Sequence, residues 1–182
     1  MSTLKVSTIS PLGTDATKTI TVGSTSNGDV VAGAGANTPA FQVCLSSDQT
    51  FSDVSTTKIN FDSVQKDTNS GFNTTDKRFV VPVAGSYFVS SRTKFIEQSN
   101  KIEQIVTYIY KNGSAYLANS WRGTNAEEKM LTPMLTGIIC DCVVGDYFEV
   151  YAYVNAFGGS NSTTLQDELE NCSFEGHKLI GA

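Results

Sequence analysis

Residues 59–88 read INFDSVQKDTNSGFNTTDKRFVVPVAGSYF. Two short apolar runs, 58–61 and 78–83, stand on either side of a polar span rich in Gly and Asn. Runs of this length between turn-forming residues predict strands of an antiparallel sheet. Pro82 has no N–H to give to a ladder, so it belongs at a strand end or on an edge. Gly85 supplies the turn or bulge from which Tyr87 and Phe88 begin the next strand.

Working outward, the same reading places further strands at 40–46, 86–96, 102–110 and 147–154. The segment 102–110 puts Gln104, Val106, Tyr108 and Tyr110 on one side and Ile105, Thr107 and Ile109 on the other. In 147–154, Phe148, Val150, Ala152 and Val154 share one face, and Tyr147, Glu149, Tyr151 and Tyr153 share the other. A sandwich core needs only one face of each strand. The aromatic face therefore predicts a second partner, with Tyr147, Tyr151 and Tyr153 at a contact between subunits.

The order Phe61-Asp62, Asp67, Phe72-Asn73, Phe79, Pro82, Gly85, Tyr87-Phe88 resembles the signature of C1q-like domains, jelly rolls related to the tumour necrosis factor family. The likeness continues downstream. Lys111-Asn112-Gly113 resembles that family's hairpin turn, Val144-Gly145-Asp146-Tyr147 its turn before a long strand, and Phe174-Glu175-Gly176-His177-Lys178-Leu179 its last strand. It covers residues 39–182 and is absent from 1–38. The resemblance implies an all-β, ten-stranded antiparallel jelly-roll sandwich assembled as a homotrimer.

Composition agrees with that class. With 182 residues the chain fits one ordinary domain and a short extension. It is 40% hydrophobic and 10% aromatic, and its abundance of Ser and Thr favours strand and turn over helix. No apolar run approaches the ~20 residues of a membrane span. A net charge of −5 without a basic stripe excludes general nucleic-acid binding. The opening MSTLKVSTIS lacks the long apolar region of a secretory signal.

Residues 1–38 differ from the rest: they hold no aromatic residue and are dominated by Thr, Ser, Gly and Ala. Leu4-Lys5-Val6-x-Thr8-Ile9 followed by Thr19-Ile20-Thr21-Val22-Gly23 is similar to the start of many tailed-phage virion proteins, marine ones especially. That resemblance implies an attachment arm that binds other virion proteins through Leu4, Val6, Ile9, Ile20 and Val22. Gly33-Ala34-Gly35 reads as a linker to the domain that follows. It fails as a phosphate loop, because no strong strand precedes it and no helix follows.

Few residues claim chemistry. His177 is the only histidine, with no nucleophile or second imidazole beside it in sequence, so neither a catalytic triad nor a zinc site is indicated. Asp167, Glu168 and Glu170 concentrate oxygen ligands of the kind that hold calcium. Some C1q-like trimers bind calcium at the corresponding end, and a solvated acidic loop is the competing reading; no other cofactor is implied. Tyr116, Trp121 and Arg122, in a stretch expected between strands, could stack on a sugar ring or on another protein. Alternatively, Trp121 covers the end of the sandwich. Cys140 and Cys142 sit two apart on one strand and point the same way. In C1q-like folds the first and last strands run side by side, which would bring Cys44 to Cys172; buried free thiols are the plainer reading.

An enzyme is the weakest expectation. Two binding or structural readings compete. One is a trimeric knob on the surface of a tailed-phage particle, at the head or at a tail-fibre tip, anchored by residues 1–38 and adhering to host-surface glycans. The other is a free bacterial C1q-like lectin or adhesin. An arm of this kind favours the first.

Overall fold

The computed structural model describes residues 39–97, 101–123, 134–158 and 163–179. The arm, with its expected anchors Leu4, Val6, Ile9, Ile20 and Val22, lies outside them. Among the described residues all regular structure is strand. The strands are β1 Ala40–Cys44, β2 Gln49–Phe51, β3 Ser55–Lys58, β4 Ser63–Asp67, β5 Phe72–Asn73, β6 Arg78–Val80 and β7 Gly85–Thr93. They continue with β8 Phe95–Glu97, β9 Lys101–Lys111, β10 Ser114–Arg122, β11 Met134–Cys142, β12 Tyr147–Phe157, β13 Thr163–Leu165 and β14 Ser173–Lys178.

A five-stranded front sheet runs β11-β7-β14-β1-β4, and a six-stranded back sheet runs β10-β9-β12-β6-β5 with β3 also on β12. A small third sheet, β2-β13-β8, completes the all-β jelly roll. The fourteen strands exceed the expected ten because short pieces of two to four residues, such as β2, β3, β5, β8 and β13, pair separately.

The expected strand at 58–61 is a correction. Only Lys58 is in β3, which pairs with β12 of the back sheet, whereas β4 pairs with β1 of the front sheet. The chain crosses between sheets over 59–62, and both Ile59 and Phe61 are fully buried on the way. Their apolar spacing reflects passage through the core, not a ladder. The expected strand at 86–96 is likewise broken at Lys94, between β7 and β8.

Between the sheets the core is aromatic. Phe41 of β1 stacks on Phe79 of β6 with centroids 4.0 Å apart at 11°, and meets the edge of Phe174 of β14 at 4.9 Å. Gly176 permits this packing, because a Cβ there would stand 2.8 Å from the Phe88 carbonyl oxygen and 2.9 Å from Cε1 of Phe41. From the back sheet, Phe148, Val150, Ala152 and Val154 face inward together with Ile105 and Ile109, all essentially buried.

Candidate functional site

The recognition motifs turn out to be buckles that fix the loops. Asn112 and Gly113 link β9 to β10 with φ of 53° and 77°, the left-handed pair that an Asn-Gly hairpin turn requires. The Asn112 side chain then clasps the next motif: its amide N–H donates to Asp146 Oδ1 at 2.8 Å, and its Oδ1 accepts the Tyr147 N–H at 2.9 Å. Lys111 adds an ion pair to Asp146 at 3.0 Å. The amide of Asn112 first, and Lys111 with the Val143 N–H besides, hold the Asp146 carboxyl below its ordinary pKa against some desolvation. Asp67 works alike, accepting the N–H groups of Gly71 and Phe72 at 3.0 and 2.9 Å. Asp62 accepts the Ser46 N–H at 2.9 Å. These carboxylates are engaged by backbone and side-chain donors that fix the local loops.

Outside the core the two main sheets present unlike faces. On the front sheet, β11 turns Leu135 and Ile139 outward, 63% and 62% exposed, beside Phe88 of β7. Val143 and Val144 continue the exposed apolar edge at 64% and 66%. Across β14 and β1 the face becomes polar: the Gln42 amide donates to Glu175 at 2.6 Å, and the His177 ring lies 5.8 Å from that of Phe88. A shallow hollow of about 340 Å3 lies there, lined by Ala40, Gln42, Lys66, Phe88, Glu175 and His177 among others.

The back sheet presents tyrosines. Tyr151 of β12 lies against Tyr110 of β9 with centroids 4.3 Å apart at 31°, and Tyr108 stands 6.0 Å from Tyr110 at 89°. Arg78 lies over the Tyr147 ring at 4.7 Å. Lys58 pairs with Glu149 at 2.6 Å, and Arg78 with Asp76 at 3.0 Å. Tyr147, Tyr151 and Tyr153, expected at a subunit contact, are thus half-buried among neighbours of their own chain. The tyrosine alternation was legible in sequence; Leu135 and Ile139 were missed, although their two-apart relation to Gly137 in MLTGIICDC carried the strand signal.

Tyr116, Trp121 and Arg122 need a correction. They are not in a loop but on β10, the edge strand of the back sheet. Trp121 sits opposite Ile105 in the ladder and packs half-buried against the core, covering the sandwich edge rather than offering a ring to solvent. Tyr116 is 47% exposed near Lys111, whose Nζ is 5.8 Å from its centroid. Arg122 reaches Glu103 at 3.4 Å. The three do not form one cluster on a common face.

Asp167, Glu168 and Glu170 stay together in the loop before β14 without converging. Among the described residues no three His, Cys, Asp or Glu side chains gather as a metal would need. Asp167 instead donates its backbone N–H to Asp48 Oδ1 at 2.8 Å. Some desolvation and the Asp48 carboxylate hold its own carboxyl above the ordinary range. β1 and β14 do run side by side, yet all four cysteines are buried free thiols. The Leu45 N–H donates to Cys172 Sγ at 3.4 Å, and burial pushes that thiol up to about 12. Cys140 and Cys142 point the same way, with sulfurs 3.8 Å apart.

Comparison with known proteins agrees with this architecture. Residues 62–134 match the TNF (Tumour Necrosis Factor) family. The globular domain of zebrafish complement 1qA protein superposes with a TM-score of 0.53 at 15% identity, covering 78% of this chain and 97% of that one. In sequence the chain is 30% identical over 106 residues to the phage-like element PBSX protein XkdV of Bacillus subtilis, covering 56% of this chain and 15% of that protein. It is also 30% identical over 110 residues to the uncharacterized protein YqcC of Bacillus subtilis, covering 58% of this chain and 29% of that protein. The chain thus spans well under half the length of either curated relative.

Proposed function

Since this chain carries a TNF/C1q-like jelly-roll domain, we propose that it is a non-enzymatic structural component of a tailed-phage particle: a homotrimeric knob displayed on the particle surface and anchored by residues 1–38. The observation that carries this reading is the 30% identity over 106 residues to a phage-like element protein. The fold supports it, since C1q/TNF-like domains generally form homotrimers and are typically structural or ligand-binding rather than catalytic.

For the trimer contact we favour the front face over the tyrosines of β12. Leu135 and Ile139 are aliphatic and well exposed, and they share a sheet with a hollow into which a neighbouring edge could pack. Aliphatic groups lose nothing but water when buried, whereas tyrosine hydroxyls must find new partners. The arm is proposed to dock by strand addition, with backbone hydrogen bonds to a partner edge supplementing its few aliphatics.

Deletion of residues 1–36 tests the arrangement. The truncated protein should stay trimeric, keep its melting temperature within a few degrees and be missing from assembled particles when these are examined by mass spectrometry. Normal incorporation without the arm would move the anchor onto the jelly roll. Complete absence of the full-length chain from particles would remove the structural role and leave the free lectin.

A further inference from the structure

We infer that the outward face of the back sheet is a binding surface for an uncharged glycan, with Tyr108, Tyr110 and Tyr151 as its stacking platform. This rests on the proposed display at a particle surface and names the ligand class that such a knob would meet.

The rings form a connected row, Tyr110 with Tyr151 at 4.3 Å and with Tyr108 at 6.0 Å. They are held before any ligand arrives: the row is laid across adjacent antiparallel strands, β9 and β12. Beside the row on the same face, Val106, opposite Tyr153, is only 6% exposed, so that part of the face is packed. A stacking surface already in place loses little freedom on binding. On the β10 side Ala115 and Ala118 stand opposite Tyr110 and Tyr108 in the ladder, so the residues directly paired with these two tyrosines there are small.

Charge selects the ligand. Two cations beside the platform, Lys58 and Arg78, are already paired with Glu149 at 2.6 Å and Asp76 at 3.0 Å. Among the described residues the cations that lie over these rings, Lys58 over Tyr151 and Arg78 over Tyr147, are thus committed to carboxylates rather than left for phosphate, sulfate or uronate, and the chain's net charge of −5 repels polyanions at longer range. What remains is flat aromatic surface edged with phenolic hydroxyls, which suits a sugar: apolar C–H faces against the rings and hydroxyls to hydroxyls. A second copy of the chain fits less well, because a dry contact would have to satisfy every buried phenol in each subunit.

The test uses the full-length protein over immobilised gluco-, manno- and chito-oligosaccharides, with heparin as the anionic probe. At least one neutral member should retain the protein, and heparin should not. Tyr108→Ala should weaken that retention about tenfold with the mass by light scattering unchanged. Ala118→Lys, which sets a charged side chain beside Tyr108 without opening the packing, should do the same if Tyr108→Ala folds poorly. Retention by heparin alone, by no member of the panel, or undiminished in Ala118→Lys overturns the proposal. A fall in mass in Tyr108→Ala overturns it too, by making the face a contact between copies. Particle composition is scored separately: a chain present in particles that binds no neutral sugar loses this surface and keeps its structural role.

Discussion

The front and back sheets share one core and the same strand geometry, yet their outward faces are built from different chemistry. The front face offers Leu135 and Ile139, aliphatic and more than half exposed, with polar groups already bonded to one another at Gln42 and Glu175. The back face offers tyrosines half-buried against each other, with Lys58 and Arg78 beside them paired to carboxylates. Exposed aliphatic surface is stabilised by any partner that removes water permanently. A tyrosine layer tolerates water and also stacks. The difference suggests a division of labour: self-association in front, ligand contact behind.

The largest expected effect removes what the faces share. Phe41 of the front sheet stacks on Phe79 of the back sheet, and Phe41→Ala should cost about 3–5 kcal/mol of stability, measured by chemical denaturation. Trimer and glycan retention should then fall together; loss of one alone would show that the faces are less coupled than a common core requires.

Next comes the front face by itself. Leu135→Asp combined with Ile139→Asp should convert a particle of three chain masses into a monomer by light scattering. Because both side chains point to solvent, the melting profile of the isolated chain should change little. If the trimer survives and Tyr151→Ala or Tyr153→Ala dissolves it, the two faces exchange roles.

The turn beneath the back sheet should give a smaller, pH-dependent effect. Asn112→Ala removes two hydrogen bonds to the Asp146–Tyr147 turn and should cost about 1–2 kcal/mol. Asp146 has a lowered pKa, chiefly through the Asn112 amide. Its contribution is therefore complete above the ordinary carboxylate value of about 4 and is lost as pH falls through the lowered value. Asp146→Asn should flatten that part of the acid unfolding curve and leave the neutral-pH behaviour of the front face intact.

The last variant concerns the ion pair at the edge of the tyrosine face. Lys58→Met should cost about 1–3 kcal/mol of stability, because it removes the 2.6 Å partner of a Glu149 side chain only 10% exposed, yet its effect on glycan retention should be the smallest of these. It also leaves Glu149 unpaired, so the face turns negative. Retention of a neutral glycan should then be nearly unchanged; a large change would mean that charge, not stacking, governs the surface.

Much of the fold was legible in the residues themselves. Alternation at 102–110 and 147–154 identified the two central back-sheet strands, because a side chain's face is set by its parity along a strand. Asn112-Gly113 marked the hairpin, because few residues accept left-handed backbone there. The turn signals around Pro82 and Gly85 marked the end of one strand and the start of another. The resemblance carried by these motifs led to the jelly roll, and the residues that carry it serve as buckles rather than as a site.

Three things were decided only in three dimensions. Ile59 and Phe61 have the spacing of a strand but cross between sheets, and no local pattern separates an apolar residue in a ladder from one in transit through a core. Trp121 looks like a loop aromatic in sequence; it is drawn against the core because the ladder sets it opposite Ile105 at an open sandwich edge. The acids 167–170 are adjacent in the chain, yet a metal needs its ligands to converge, and convergence depends on loop geometry rather than on spacing. Sequence determined which residues face which way along each strand. Tertiary structure decided which of those faces another part of the chain already occupies, since that depends on contacts between residues far apart in sequence.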